Sequence, residues 1–311
     1  MMKIVFMGTP DFSVGIIKAL NESEHEVVLA VTQPDRPKGR SGKLVQSPVK
    51  EYALKEGIEV FQCEKIREHA AVEKLQQTGA DLFVVAAFGQ ILSKEILDMP
   101  RYGCINVHAS LLPKYRGASP IQQAILDGEK KTGVTIMQMN EGLDTGDILT
   151  FREVAIDEKE TGGSLFDKLS KAGSALITEA VKDLEAGRLT PVKQDDDKAS
   201  YAGMIKKERG RIDFNESASR IERQIRAFDP WPGSGTVFCG RGLKIWRAEA
   251  VENHEAEKPG TVTEVTKDTF TVACKEGSLV IKELQLEGKK RMGTRDFLLG
   301  NDLKKGDSLG L

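Results

Sequence analysis

The stretch Leu82-Phe83-Val84-Val85-Ala86-Ala87-Phe88 is the longest unbroken apolar run in the chain. At seven residues it is far short of the roughly 20 that span a bilayer. It reads as a strand, Asp81–Ala87, buried on both faces. Two similar strands precede it, Lys3–Met7 and Val27–Thr32, each followed by helical periodicity. Continuous apolar strands alternating with helices imply a mostly parallel sheet covered on both sides, since a sheet with one wet face would alternate apolar and polar residues. The fold class is therefore α/β over this part. The same reading predicts helices at Phe12–Leu20, near Val49–Glu56 and at Val72–Thr78, and a short strand at Ile58–Phe61. Further strands are expected at Cys104–Val107 and Val134–Met139, and a long helix at Ser164–Leu184. Nothing periodic occurs in Pro34–Pro48.

The texture changes after residue 188. A polar stretch carrying Asp195-Asp196-Asp197 reads as a linker over 189–207. A helical piece, Ser217–Phe228, ends at Pro230-Trp231-Pro232-Gly233. Short strands separated by Gly-rich turns follow at Thr236–Phe238, Leu243–Ala248, Gly260–Val265, Phe270–Ala273 and Ser278–Gln285. Their spacing suits a small, open β-barrel of the oligonucleotide-binding type. The expected organisation is a catalytic domain over 1–188 and a barrel domain over 208–311, which a chain of 311 residues accommodates.

Net charge is −2 and unevenly spread. Residues 204–311 carry 20 Lys and Arg against 17 Asp and Glu, while the preceding 203 residues carry 25 against 30. An excess of three is weak evidence for a polyanionic partner. Local clusters say more: Gln33–Lys50 holds Arg36, Lys38, Arg40, Lys43 and Lys50 against the single acid Asp35. The four cysteines (Cys63, Cys104, Cys239, Cys274) lie far apart with no CxxC pair, which argues against a disulfide framework or a cysteine zinc site and fits a reducing, cytoplasmic setting. The N-terminus runs directly into strand-like sequence, without the pattern of a signal peptide.

In open α/β sheets, ligands bind beyond the carboxyl ends of strands. Gly8-Thr9-Pro10-Asp11-Phe12 occupies the place of a phosphate-binding turn, but lacks G-x-G-x-x-G and a Walker lysine. In Ile105-Asn106-Val107-His108, strand alternation points Asn106 and His108 the same way. An amide and an imidazole side by side can both donate to one developing oxyanion. No Cys or second His stands at ligand spacing, so no metal is expected there. In Asn140-Glu141-Gly142-Leu143-Asp144-Thr145-Gly146-Asp147, the glycines allow a tight turn that brings Asp144 into a cleft to orient and charge His108. Asp-Thr-Gly also occurs in aspartic proteases, but their mechanism needs two carboxylates sharing a proton, and the motif occurs once here.

Taken together, the run Gly103 to Gln122 (GCINVHASLLPKYRGASPIQ), Gly133–Met139, Gly142–Asp147, Thr9–Phe12, Gln33–Pro37 and Ala227–Pro232 resemble, in order and over essentially the whole chain, the methionyl-tRNA formyltransferase family. Departures are small: Phe88 stands where Tyr is frequent, and Lys114 where Arg is common. The resemblance implies a Rossmann-like N-domain and an open-barrel C-domain. It implies transfer of a formyl group from 10-formyltetrahydrofolate, as co-substrate, to the amino group of initiator methionyl-tRNA. The family's catalytic trio maps onto Asn106, His108 and Asp144, and its folate-binding stretch onto Ser110, Leu111, Leu112 and Pro113. Its basic tRNA-reaching loop maps onto Gln33–Lys50, with Arg36, Lys38, Arg40 and Lys43 as tRNA contacts and Arg40 as the key one.

The implied mechanism is direct attack by the amine, with Asn106 and His108 holding the oxyanion and no metal required. Lys206 and Lys207, with Arg209, Arg211, Lys289, Lys290 and Arg291, flank the predicted barrel and could follow a phosphate backbone. A monomer with no membrane partner is expected. Three alternatives stay open. An amino-sugar-nucleotide formyltransferase would share the trio, although two phosphates would not call for so basic a loop. A glycinamide ribonucleotide formyltransferase would lack residues 204–311. A silent tRNA-binding protein would have no use for the trio.

Overall fold

The computed structural model describes residues 1–38, 42–252 and 257–310. These fall into two compact units. The first comprises Met1–Pro120, Lys131–Ala155 and Phe166–Gly203, and the second comprises Ile121–Lys130, Ile156–Leu165 and Met204–Leu311. The second unit thus draws in two excursions from the N-terminal half. Hydrogen bonds to one helix, Ala218–Ala227, explain why: Arg223 Nε donates to the Leu126 carbonyl at 3.0 Å and Arg226 Nη1 to the Glu160 carbonyl at 3.0 Å.

In chain order the elements are β1 (Lys3–Gly8), α1 (Asp11–Asn21), β2 (Glu26–Thr32), β3 (Arg36–Lys38), β4 (Lys43–Val45), α2 (Pro48–Lys55), β5 (Val60–Gln62), α3 (His69–Gln77), β6 (Leu82–Ala86), α4 (Lys94–Leu97), β7 (Cys104–His108), α5 (Pro120–Leu126), β8 (Lys131–Gln138), β9 (Ile148–Ala155) and α6 (Gly162–Glu185). The first unit is built on a seven-stranded sheet in the order β5-β2-β1-β6-β7-β8-β9. The first five are parallel, and β8 and β9 run antiparallel. Every residue of β6 and β7 is buried, as the unbroken apolar runs require. Each large side chain buried in this sheet, such as Phe6 of β1 or Phe83 of β6, contributes about 1.5–3 kcal/mol. Gly8 ends β1 where no side chain fits, since a Cβ would lie 2.8 Å from the Ala86 carbonyl oxygen. This close approach lets the chain turn straight into α1, whose Ser13 hydroxyl donates to the same oxygen at 2.7 Å.

Besides β9 and the two excursions into the second unit, two features depart from the sequence expectation. The aperiodic stretch Pro34–Pro48 contains a two-stranded ribbon, β3 paired antiparallel with β4. Residues 189–203, read as linker, pack with the first unit: Val192 bridges to Ile148, and Arg116 to Tyr201.

The second unit continues with α7 (Ala218–Ala227), β10 (Ser234–Phe238), β11 (Arg241–Val251), β12 (Val262–Val265), β13 (Phe270–Ala273), β14 (Ser278–Leu286), β15 (Met292–Gly293) and α8 (Thr294–Leu299). Its antiparallel sheet has the order β10-β11-β14-β13-β12, with β15 on β14. The tail bridges the two edges. Val262 N–H donates to the Asp307 carbonyl and Gly310 N–H to the Val237 carbonyl, giving the open-barrel form expected. Ile221 and Ile225 of α7 and Phe297 of α8 are buried in its core with Phe238, Phe270 and Ile281. Among the described residues, no helix is long and apolar enough to cross a membrane.

Candidate active site

The site lies wholly in the first unit. Asn106 and His108 leave β7 on the same side and are 9% and 6% exposed. The turn after β8 returns over β7 and delivers Asp144. Its Oδ2 lies 3.7 Å from His108 Nδ1, and its Oδ1 accepts a long 3.5 Å hydrogen bond from Asn106 Nδ2. Gly117 N–H donates to Asp144 Oδ2 at 2.8 Å. Asp144 therefore reaches both of the side chains with which it is expected to act.

That turn is densely constrained. Asp144 itself is left-handed, with φ of 53°. Asn140 Oδ1 accepts from Gly142 N–H at 3.0 Å and from the Thr145 hydroxyl at 2.8 Å. A Cβ on Gly146 would fall 1.6 Å from the Gln138 carbonyl oxygen, so no side chain can stand there.

His108 Nε2 lies 2.9 Å from the carbonyl of Tyr115. A carbonyl can only accept, so Nε2 carries a hydrogen. Nδ1 is then the nitrogen that faces Asp144, 3.7 Å from Oδ2.

The expected folate stretch follows His108 directly. Ser110 is fully buried and its hydroxyl donates to the Lys114 carbonyl at 2.6 Å, so that side chain is spent inside the turn. Thr135 Oγ1 donates to the Ser110 carbonyl at 2.7 Å and accepts from Leu112 N–H at 3.2 Å. Leu112 is buried, while Leu111 and Pro113 are half-buried and present an apolar wall. Burial pushes the thiol of Cys104, at the start of β7, up to about 12, which disfavours a thiolate nucleophile beside the trio.

The sequence gives no role to two residues that the structure brings against this turn. Gln194 bonds the backbone of the Asp144 turn. Arg116, 2% exposed, bonds Gln194 and pairs with Asp196 at 2.7 Å. Burial works against the guanidinium charge, but hydrogen bonds to Asp196 and Tyr201 outweigh it and hold the pKa above the ordinary arginine value. Arg116 stands in the conspicuous run KYRGAS, where a charged residue between an aromatic and a glycine is a usable signal. Gln194 gives none.

The basic residues are dispersed. Arg36 is exposed on β3, and the backbones of Lys38 and Lys43 face each other across the ribbon. Arg40 lies outside the described residues. Lys50 is bound to Asp35 at 2.7 Å and belongs to the root of the ribbon. In the second unit Lys206 and Lys207 are exposed. Arg291 is instead neutralised by Asp229 and Glu283 and stacked on Trp246. Among the described residues, Glu24, His25 and Glu185 bring possible metal-ligand atoms within 4.8 Å of one another. His25 Nδ1, however, already accepts the Met2 N–H.

The formyl transferase family model matches residues 2–181, and the model of the formyl transferase C-terminal domain matches residues 204–302. A methionyl-tRNA formyltransferase of Lachnospira eligens is 56% identical over 314 aligned residues, covering 99% of this chain and 100% of that protein. One from Agathobacter rectalis is 51% identical and covers 98% of each. Among solved structures, the sugar 3N-formyl transferase WlaRD, determined in the presence of dTDP and 5-N-formyl-THF, superposes with a TM-score of 0.68 at 21% identity. That match covers 93% of this chain and 99% of that one.

Proposed function

The chain belongs to the formyl transferase family, and on that premise we propose that it transfers the formyl group of 10-formyltetrahydrofolate to the α-amino group of methionyl-tRNA, giving N-formylmethionyl-tRNA. The observation that carries this reading is the meeting of Asn106, His108 and Asp144 at one strand end, in a chain more than half identical, end to end, to a methionyl-tRNA formyltransferase. Folate-dependent transfer also agrees with the folate present in the WlaRD structure. The tRNA substrate places the reaction in the cytoplasm, where translation occurs.

The folate supplies an activated formyl group on N10, and the donor set fits it: a neutral amide, an imidazolium and an apolar wall at Leu111 and Pro113. The neutral amine attacks the formyl carbon, forming the new C–N bond as negative charge collects on the formyl oxygen. Asn106 Nδ2–H and the charged His108 ring stabilise that oxygen, a role typically worth about 3–4 kcal/mol per donor. As the C–N10 bond breaks, the proton lost by the amine goes to the leaving nitrogen, with Asp144 placed to pass it through water. No metal takes part. Initiator tRNA is distinguished by the 33–50 segment bearing Arg36, Lys38, Arg40 and Lys43, while Lys206 and Lys207 contact phosphates.

A formyl-transfer assay tests this, with 10-formyltetrahydrofolate as donor and three acceptors: charged initiator tRNA, charged elongator tRNA and an amino sugar nucleotide. Transfer to the charged initiator alone is expected. Transfer to the sugar alone would keep the fold and the trio but overturn the acceptor.

A further inference from the structure

Outside the trio, Gln194 has a bond at every hydrogen-bonding position of its side chain. Its Nε2 donates to the carbonyl of Asp144 at 2.8 Å and to that of Gly146 at 2.7 Å. Its Oε1 accepts from Arg116 Nε at 3.1 Å and Nη2 at 2.9 Å. An amide offers two donors and two acceptor sites, so nothing is left over. The orientation is also unambiguous, because carbonyls only accept and a guanidinium only donates. A flipped amide would set oxygen against two oxygens and NH2 against a cation. The same logic excludes glutamate, which could serve Arg116 but not the two carbonyls.

The two carbonyls, of Asp144 and Gly146, lie in the second half of the Asp144 turn. A left-handed residue other than glycine costs on the order of 1 kcal/mol and persists where its surroundings over-determine it. Gln194 supplies that from the backbone side, and Gly117 N–H supplies it from the carboxylate side. The support is itself anchored. Ser200 Oγ accepts from Tyr115 N–H at 2.9 Å, the Ser200 carbonyl accepts from Arg116 N–H at 2.8 Å, and Ala202 N–H donates to the Arg116 carbonyl at 2.8 Å. Residues 192–202 therefore form a strap tied both to the Asp144 turn and to the loop that carries the Tyr115 carbonyl, the partner of His108.

We propose that Gln194 is a positioning residue for formyl transfer, setting the Asp144 carboxylate against His108 and Asn106 and held in turn by Arg116. The proposal rests on the role given to Asp144 above. Displacing a catalytic group by about 1 Å costs up to roughly a hundredfold in rate.

The test is a kinetic cycle on the full-length enzyme: wild type, Gln194→Glu, Asp144→Ala and the double variant, with Gln194→Ala as a second single. Gln194→Glu keeps an acceptor for Arg116 but sets a carboxylate oxygen against two carbonyls, so its thermal melting should fall, and rates are read well below the transition. Its kcat should fall by about ten- to a hundredfold, with KM for folate and for methionyl-tRNA within about threefold of wild type. In the Asp144→Ala background the same change should have no further effect. Wild-type kcat in Gln194→Glu, or in Gln194→Ala should the glutamate variant not fold, would overturn the proposal. So would additivity in the double variant. Wild-type kcat in Asp144→Ala would instead overturn the catalytic reading on which it rests.

Discussion

His108 Nε2 donates to a backbone carbonyl that can only accept, and this one bond decides which ring nitrogen faces the reaction. With Nε2 committed to Tyr115, Nδ1 is the nitrogen that faces Asp144, and a proton there would let the ring join the Asn106 amide in donating to a developing oxyanion. The separations of 3.5 and 3.7 Å are long for hydrogen bonds, as is common before substrate closes a site. Removing one donor from such a site typically lowers kcat by about a hundred- to a thousandfold. Asn106→Ala, His108→Ala and Asp144→Ala should each show a loss of that order in single-turnover formylation, while filter-binding affinity for methionyl-tRNA changes little. A variant that turns over normally would remove its residue from the mechanism. The candidate trio stands out in the sequence because its members have distinctive side chains in short motifs. The Tyr115 carbonyl was not, since every residue carries one.

At the scale of elements, the ribbon β3–β4 shows how a polar cluster does what an apolar core does elsewhere. Lys50 Nζ binds Asp35 Oδ2 and Gln62 Oε1, both at 2.7 Å, and Gln62 Nε2 returns to Asp35 Oδ1 at 2.9 Å and to the Gln33 carbonyl at 2.8 Å. The hydrogen bond from Lys50, and then that from Gln62, hold the Asp35 carboxyl below its ordinary value of 3.8. A lowered folded pKa makes this anchor complete above the ordinary value and lost only as pH falls through the lowered one. KM for methionyl-tRNA should therefore show no contribution from Asp35 across about pH 6 to 8. Asp35→Asn should raise that KM a few-fold without altering kcat. An unchanged KM would separate the root of the ribbon from tRNA binding. Apolar periodicity made β1, β2, β6 and α6 legible, because a buried face leaves a repeating record. The ribbon left none: its root is held by Asp35, Lys50 and Gln62, and the last is distant in sequence. The strand β9 was also missed.

Across the whole molecule, charge is unevenly spread. The basic excess after residue 203 suits sequence-blind contact with phosphates, which releases counterions and so weakens with salt. Affinity for methionyl-tRNA should fall linearly on a log–log plot against salt. Lys206→Ala and Lys207→Ala should each reduce the slope by about 0.7 to 0.9, with kcat at saturating tRNA unchanged. An unaltered slope would take these two lysines off the phosphate path. The sequence by itself determined the α/β class, the antiparallel barrel strands and the family, and it singled out the three residues proposed to act, since burial on a repeating face and side-chain chemistry are written residue by residue. Only the tertiary structure decided that residues 121–130 and 156–165 join the second unit, that 189–203 form a strap on the first, and that Gln194 holds the Asp144 turn. The physical reason is common to all three: these attachments run largely through backbone carbonyls and N–H groups, which every residue possesses, so the pairing exists only once the chain has brought them together.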